Sequence, residues 1–186
     1  MRGIVRSALV LLVPAIACQS YIPPNAGPAG APTMAATTPT ATSAAVEVKA
    51  SAFEPDTTLL GPAHRYTGGT FRFRTWLGAK YPAPMHQLYV TNSYRGDWKF
   101  WRRANGQNAN ELELVEISSD VISCRYGCSY AEAFGITLSD SLLQANRTNG
   151  YAVKVYAKSG DELVLTIPSP LIDAQLARVA ELRKQK

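Results

Sequence analysis

The strongest constraint on the fold is a strict two-residue alternation. Between Thr70 and Leu77, Phe71 and Phe73 alternate with Arg72 and Arg74, so one face is apolar and the other charged. That period matches a half-buried β-strand and cannot be laid on a helix without scattering the rings around its axis. The same period recurs in His86–Thr91, in Tyr151–Tyr156 and in Leu163–Ile167, the last two joined by Ser159-Gly160 as a hairpin signal. Val46-Glu47-Val48 reads as a short edge strand, Trp98–Arg102 as a further strand, and Leu112–Ile122 as a long one. Its apolar phase slips between Leu114 and Val115, the mark of a bulge or an exchange of faces. Asn105-Gly106 marks a hairpin before it. Phe53–Arg65, with Pro55, Gly61 and Pro62, and Lys80–Pro84, with two prolines, read as loops.

Two stretches break the β pattern. Ser139-Asp140 caps a short helix near 140–146, and Ser169-Pro170 opens a longer one near 170–184. In the second, Ile172, Leu176 and Val179 form an apolar stripe, with Asp173 near the start and Arg183 and Lys184 at the end, as the helix dipole favours. Many short strands with frequent turns and one covering helix give a mainly β chain. The expected architecture is an antiparallel β-sandwich or a strongly bent sheet.

The N-terminus is built differently. Arg2 and Arg6 precede a short apolar run, Ala8–Val13, and small residues lead to a cysteine in Ala15-Ile16-Ala17-Cys18. The run is shorter than the roughly 20 residues a membrane span needs. This segment resembles the signal peptide and lipobox of bacterial lipoproteins, with Ala15 where that family usually has a larger aliphatic residue. The resemblance implies that residues 1–18 are a signal ending at a lipidated Cys18, carrying a diacylglycerol thioether and an acylated amine. Gln19, not aspartate, follows the cysteine, which in this family points to the outer membrane, with the domain facing the periplasm or the cell surface. Residues 19–45 are rich in Pro, Ala and Thr and uncharged, too poor in apolar surface to offset ordering entropy, and read as a disordered tether. Residues 46–186 then form a single domain.

The net charge of +5 becomes +3 once the two signal arginines are removed, which is too mild to call for nucleic acid. With Cys18 assigned to lipid, Cys124 and Cys128 remain as a pair in an oxidising compartment. A turn at Gly127 brings them within bridging range, and so short a loop is worth about 2 kcal/mol. A two-thiol metal site and a redox pair are the alternatives, though the spacing is not C-x-x-C.

The candidate binding residues are Tyr94, Trp98, Trp101 and Arg102. Alternation places Trp98, Phe100 and Arg102 on one face and Lys99, Trp101 and Arg103 on the other, which leaves one tryptophan exposed for recognition. Searching for chemistry finds no G-x-S-x-G, S-x-x-K, H-E-x-x-H, P-loop or EF-hand pattern, and no residues call for a cofactor or a metal. The two histidines are His64 and His86; acids for a catalytic pair could come from Asp97, Glu113, Glu116, Asp120 and Glu132.

The function expected is a lipid-anchored envelope protein whose non-catalytic domain binds a partner protein or a cell-wall polymer. An envelope hydrolase using His86 or an acidic pair is one alternative; a structural peptidoglycan link through the C-terminal lysine is another. The Asp120–Cys124 turn and Ser129-Tyr130-Ala131-Glu132 resemble bacterial secreted proteins of no assigned activity, which adds no site residues.

Overall fold

Fifteen residues of nearly unbroken strand, Tyr81–Arg95, form the longest strand of the computed structural model, which describes residues 45–125 and 127–185. The segments expected to be a signal ending at Cys18 and a tether fall outside the described residues up to residue 44, as does Lys186. The strands run in order as β1 (Glu47–Lys49), β2 (Thr57–Leu60), β3 (His64–Tyr66), β4 (Gly69–Gly78), β5 (Tyr81–Arg95), β6 (Trp101–Gly106) and β7 (Glu111–Leu112). They continue as β8 (Leu114–Ser123) and β9 (Ser129–Leu138), then helix α1 (Asp140–Ala145), β10 (Tyr151–Ala157), β11 (Glu162–Ile167) and helix α2 (Ser169–Lys184).

Among the described residues, the strands pair antiparallel and make two open sheets. The larger has the order β1-β2-β4-β5-β9-β8, with β3 also on β4; the smaller has the order β11-β10-β6-β7. The mainly β sandwich and both helices match the alternation and the capping signals.

The alternating residues point where their period requires. Phe71 and Phe73 of β4, Leu88 and Val90 of β5, and Phe134 and Ile136 of β9 are buried on the inner face of the large sheet. They meet Trp101 and Ala104 of β6, Val153 and Val155 of β10, and Leu165 and Ile167 of β11 in one cluster. Ile172 and Leu176 of α2 join that cluster; one turn further along, Val179 packs with Leu59 and Leu77 in a second. The inner face of the large sheet is therefore covered twice, by the small sheet along its middle and by α2 at one end.

Several local expectations are corrected. Phe53–Arg65 is not all loop: β2 and β3 lie end to end along the same edge of β4, interrupted by Gly61-Pro62. Pro82 and Pro84 sit inside β5, but β9 pairs with β5 only from His86 onward, so the missing N–H groups face an unpaired edge. Ser169 is the first residue of α2, not its cap; Pro168 stands in the cap position. Ser139 does cap α1, accepting the Leu142 N–H at 3.2 Å. The expected single strand Leu112–Ile122 is broken at Glu113, ahead of the slip expected between Leu114 and Val115: β7 pairs with β6 of the small sheet, β8 pairs with β9 of the large one, and the β8 register shifts only after Glu116.

Gly69 opens β4 where a Cβ would overlap the Thr91 carbonyl of β5. Gly69→Ala should therefore lower stability by about 1–3 kcal/mol in chemical denaturation, the cost of overpacking a rigid backbone contact.

Candidate functional site

The residues singled out in the sequence separate in the structure. Trp101 is buried in the core at the start of β6, where its Nε1–H donates to Asn92 Oδ1 at 3.2 Å. Asn92 in turn donates to Tyr66 Oη at 3.1 Å and to the Gly68 carbonyl at 3.2 Å, so the tryptophan is part of a satisfied buried network rather than a recognition surface. Arg102, the next residue of β6, is exposed. The expected strand Trp98–Arg102 begins only at Trp101, because Phe100 takes a φ of +55° that no strand accommodates. The strict alternation of Trp98, Phe100 and Arg102 against Lys99, Trp101 and Arg103 is lost with it, and Arg102 and Arg103 are both exposed.

Tyr94 and Trp98 do come together. Beyond the small sheet, the inner face of the large sheet continues through Tyr94 of β5 and Tyr130 of β9, which are direct Cα partners. The chain from Gly96 to Phe100 folds back over them, so that Trp98 packs on Tyr130 with ring centroids 4.2 Å apart and on Phe100 at 5.6 Å. The backbone of this flap is held from both sides. Lys99 N–H donates to Tyr94 Oη at 3.0 Å and Phe100 N–H to Glu132 Oε1 at 2.9 Å. From the β10–β11 turn, Lys158 N–H donates to the Phe100 carbonyl at 2.9 Å and Ser159 N–H to the Lys99 carbonyl at 3.2 Å. Burial, with the Glu132 carboxylate adding to it, pushes the Tyr94 hydroxyl pKa up to about 12. The aromatic group thus acts as a third cover of the large sheet, with its rings packed on one another.

Glu132, on the inner face as its alternation with Tyr130 and Phe134 requires, is buried by this flap, and its Oε2 has no hydrogen-bond partner among the described residues. Cys124 and Cys128 lie at disulfide distance, with S–S 2.13 Å, around Gly127 in the left-handed region. The Cys128 carbonyl accepts the Gly96 N–H at 3.2 Å, which ties this turn to the flap.

His86 lies at the other end of β5 in an arrangement that sequence reasoning did not find. Gln175 Nε2 of α2 donates to Thr75 Oγ1 at 2.8 Å, and Thr75 Oγ1 lies 2.8 Å from His86 Nδ1. His86 Nε2 is 3.1 Å from Asp140 Oδ1 at the start of α1. Because a carboxylate only accepts, Nε2 carries the imidazole proton and Nδ1 accepts from the Thr75 hydroxyl, which leaves a neutral histidine fully satisfied. The hydroxyl–imidazole–carboxylate order is that of a hydrolase triad, but the ring is turned: the acid sits on Nε2 and the hydroxyl on Nδ1. Thr75, His86 and Gln175 are all completely buried, so no substrate carbonyl reaches Thr75 Oγ1 in this conformation. The chain of bonds joins both helices to the large sheet. Burial lowers the His86 pKa, opposed by the hydrogen bond and charge of Asp140.

The most exposed apolar surface belongs to β8. Among the described residues, four of the seven exposed large hydrophobic side chains, Val115, Ile117, Val121 and Ile122, stand on this one strand. Phe100 of the flap is a fifth. β8 pairs with β9 on one side only, through a ladder that shifts at Ile117 and at Ile122. Val121 is the Cα partner of Tyr130, so the exposed strand runs directly into the aromatic cluster. Of the candidate acids, Glu116 and Asp120 lie on β8 and Glu113 at the break before it; they are spread along an exposed edge, while Glu132 is buried. Elsewhere, a groove of about 430 Å³ on the large sheet is lined by Trp76, Arg74, Lys49 and Glu54.

Against known proteins, the chain matches no protein family, no curated protein and no solved structure.

The network around His86 makes two measurable claims. Thr75→Val leaves His86 Nδ1 and Gln175 Nε2 without partners and should cost about 1–3 kcal/mol of stability. Because the folded pKa of His86 lies below its unfolded value near 6.5, the unfolded chain takes up the proton first as pH falls. The stability it contributes is full above about pH 6.5 and declines below it toward the folded pKa. The denaturation midpoint of the wild type should fall across that window, and that of His86→Gln should fall less.

Proposed function

We propose that this chain is a lipid-anchored protein of the cell envelope whose β domain binds another protein along β8. The observation that carries the reading is the concentration of exposed aliphatic side chains on one unpaired edge strand. Soluble domains rarely leave so many aliphatic side chains uncovered on one strand, and long exposed edges invite pairing with another chain. The anchor rests on the sequence: the basic lead, the short apolar run and Ala15-Ile16-Ala17-Cys18. Acyl chains on Cys18, each contributing about 0.8 kcal/mol per buried methylene, would hold the domain at the membrane, in this reading the outer one. The tether of residues 19–45 gives it reach into the periplasm or beyond the surface. In this setting the buried Thr75–His86–Asp140 chain serves the fold, and catalysis has no part.

A second reading, binding of cell-wall polymer, is supported by the groove at Trp76, where an aromatic ring lies among Arg74, Lys49 and Glu54. Retention on purified peptidoglycan that survives changes in β8 and is lost in Trp76→Ala would favour it.

The test of the main reading has two parts. Cys18→Ser should remove the acyl mass and move the protein from the membrane to the soluble fraction. A photoreactive residue at Val121 in intact envelopes should give one defined protein adduct, while the same group at Val164, equally exposed on β11, gives none. Equal labelling at both positions, or none at Val121, contradicts a partner surface on β8.

A further inference from the structure

The edge of β8 carries more information than its hydrophobicity. From Ala104 to Cys124 the chain has no lysine or arginine but holds Glu111, Glu113, Glu116 and Asp120, four of the fourteen acids of a chain whose net charge is +5. Glu116 and Asp120, the two of them on β8, are interleaved with the exposed aliphatics. By register with β9, Glu116 and Val121 lie on the inner side of the strand and Val115 and Asp120 on the outer side, so each side presents one acid and one apolar group. Glu132, whose Cα partner on β8 is Ser119, adds a buried carboxylate at the same end of the sheet.

We propose, on the reading that β8 is a partner surface, that its occupant is an extended cationic segment of another protein, which adds to the free edge of β8 as a further strand. Backbone hydrogen bonds to the unpaired edge would supply affinity, and lysine or arginine side chains opposite Glu116 and Asp120, with β-branched residues against Val115 and Val121, would supply selectivity. A second copy of this chain fits less well, since the same edge against itself sets an acidic strand against an acidic strand. The two register shifts at Ile117 and Ile122 also oppose flat pairing of identical edges. The chain's own residues 19–45 are uncharged and proline-rich, so they offer neither the cations nor a continuous row of N–H donors.

The experiment uses the full chain in detergent and short acetylated, amidated peptides as probes. A peptide of alternating lysine and valine should bind saturably, with affinity that falls as salt is raised. The glutamate–valine counterpart should bind at least tenfold more weakly. The lysine–valine peptide N-methylated on alternate residues keeps its charge but cannot complete a ladder, and it should also lose at least tenfold. The exposed double variant Glu116→Lys/Asp120→Lys, checked for an unchanged circular dichroism spectrum, should reverse the preference. Equal binding of the N-methylated peptide, absence of saturable binding, or a concentration-dependent dimer formed through β8 would each overturn the proposal. If the peptides fail while the Val121 adduct persists, strand addition by a cationic segment is wrong and the partner surface stands. If the adduct is absent as well, the reading beneath it falls.

Discussion

The domain depends on covering one long apolar face. At about 3.4 Å per residue, β5 extends roughly 50 Å, whereas the longest strand of the small sheet has seven residues and spans about half of that. No single layer of this chain can cover the inner face of the large sheet, so three different covers share it. Helix α2 closes one end over Leu59 and Leu77, the small sheet packs the middle, and the flap of Trp98 and Phe100 closes the other end over Tyr94 and Tyr130. Each boundary between covers is sealed by a buried polar network. The Gln175–Thr75–His86–Asp140 chain stands where helix meets sheet, and the Trp101–Asn92–Tyr66 bonds with Glu132 stand where the small sheet gives way to the flap. The covers reach β8 only at Leu114, and from Val115 onward the strand is exposed.

Sheet and helix were legible because their periods are local. Phe71 and Phe73, Val153 and Val155, and Ile172 with Leu176 declare their buried faces within a few residues, and Gly160 and Ser139 mark their turn and cap. The candidate site was legible only in part. Tyr94 and Trp98 do cluster, yet Trp101 was expected on a strand continuous with Trp98, and the left-handed Phe100 between them ends that continuity. Nothing in residue types alone announces a positive φ at a phenylalanine; it is imposed by the bonds that hold the flap, from partners 32 and 58 residues away. The His86 network was illegible for the same reason: its bonds span 11, 54 and 100 residues. β2 was missed because Pro55, Gly61 and Pro62 flank a run of four residues too short to show a period.

The arrangement also separates two kinds of polar group. Those at the covers are paired within the domain, Glu132 Oε2 and Gln175 Oε1 excepted among the described residues, and the Thr75 hydroxyl and His86 imidazole are closed off from solvent. Those on β8 are exposed, of one sign, and set among apolar side chains on an edge with an unused row of backbone groups. In the proposed reading, an envelope protein held by its N-terminus would present such an edge to partners without needing a closed pocket.

β8 is paired on one side only, with β9. Residue-resolved amide hydrogen exchange of the full chain tests it directly. The account predicts that β5 and β9 amides exchange slowly and that β8 divides, with amides bonded to β9 protected and the alternate, outward ones exchanging rapidly. Uniform protection along β8, as slow as in β9, would show that its outer edge is already occupied and would contradict the account.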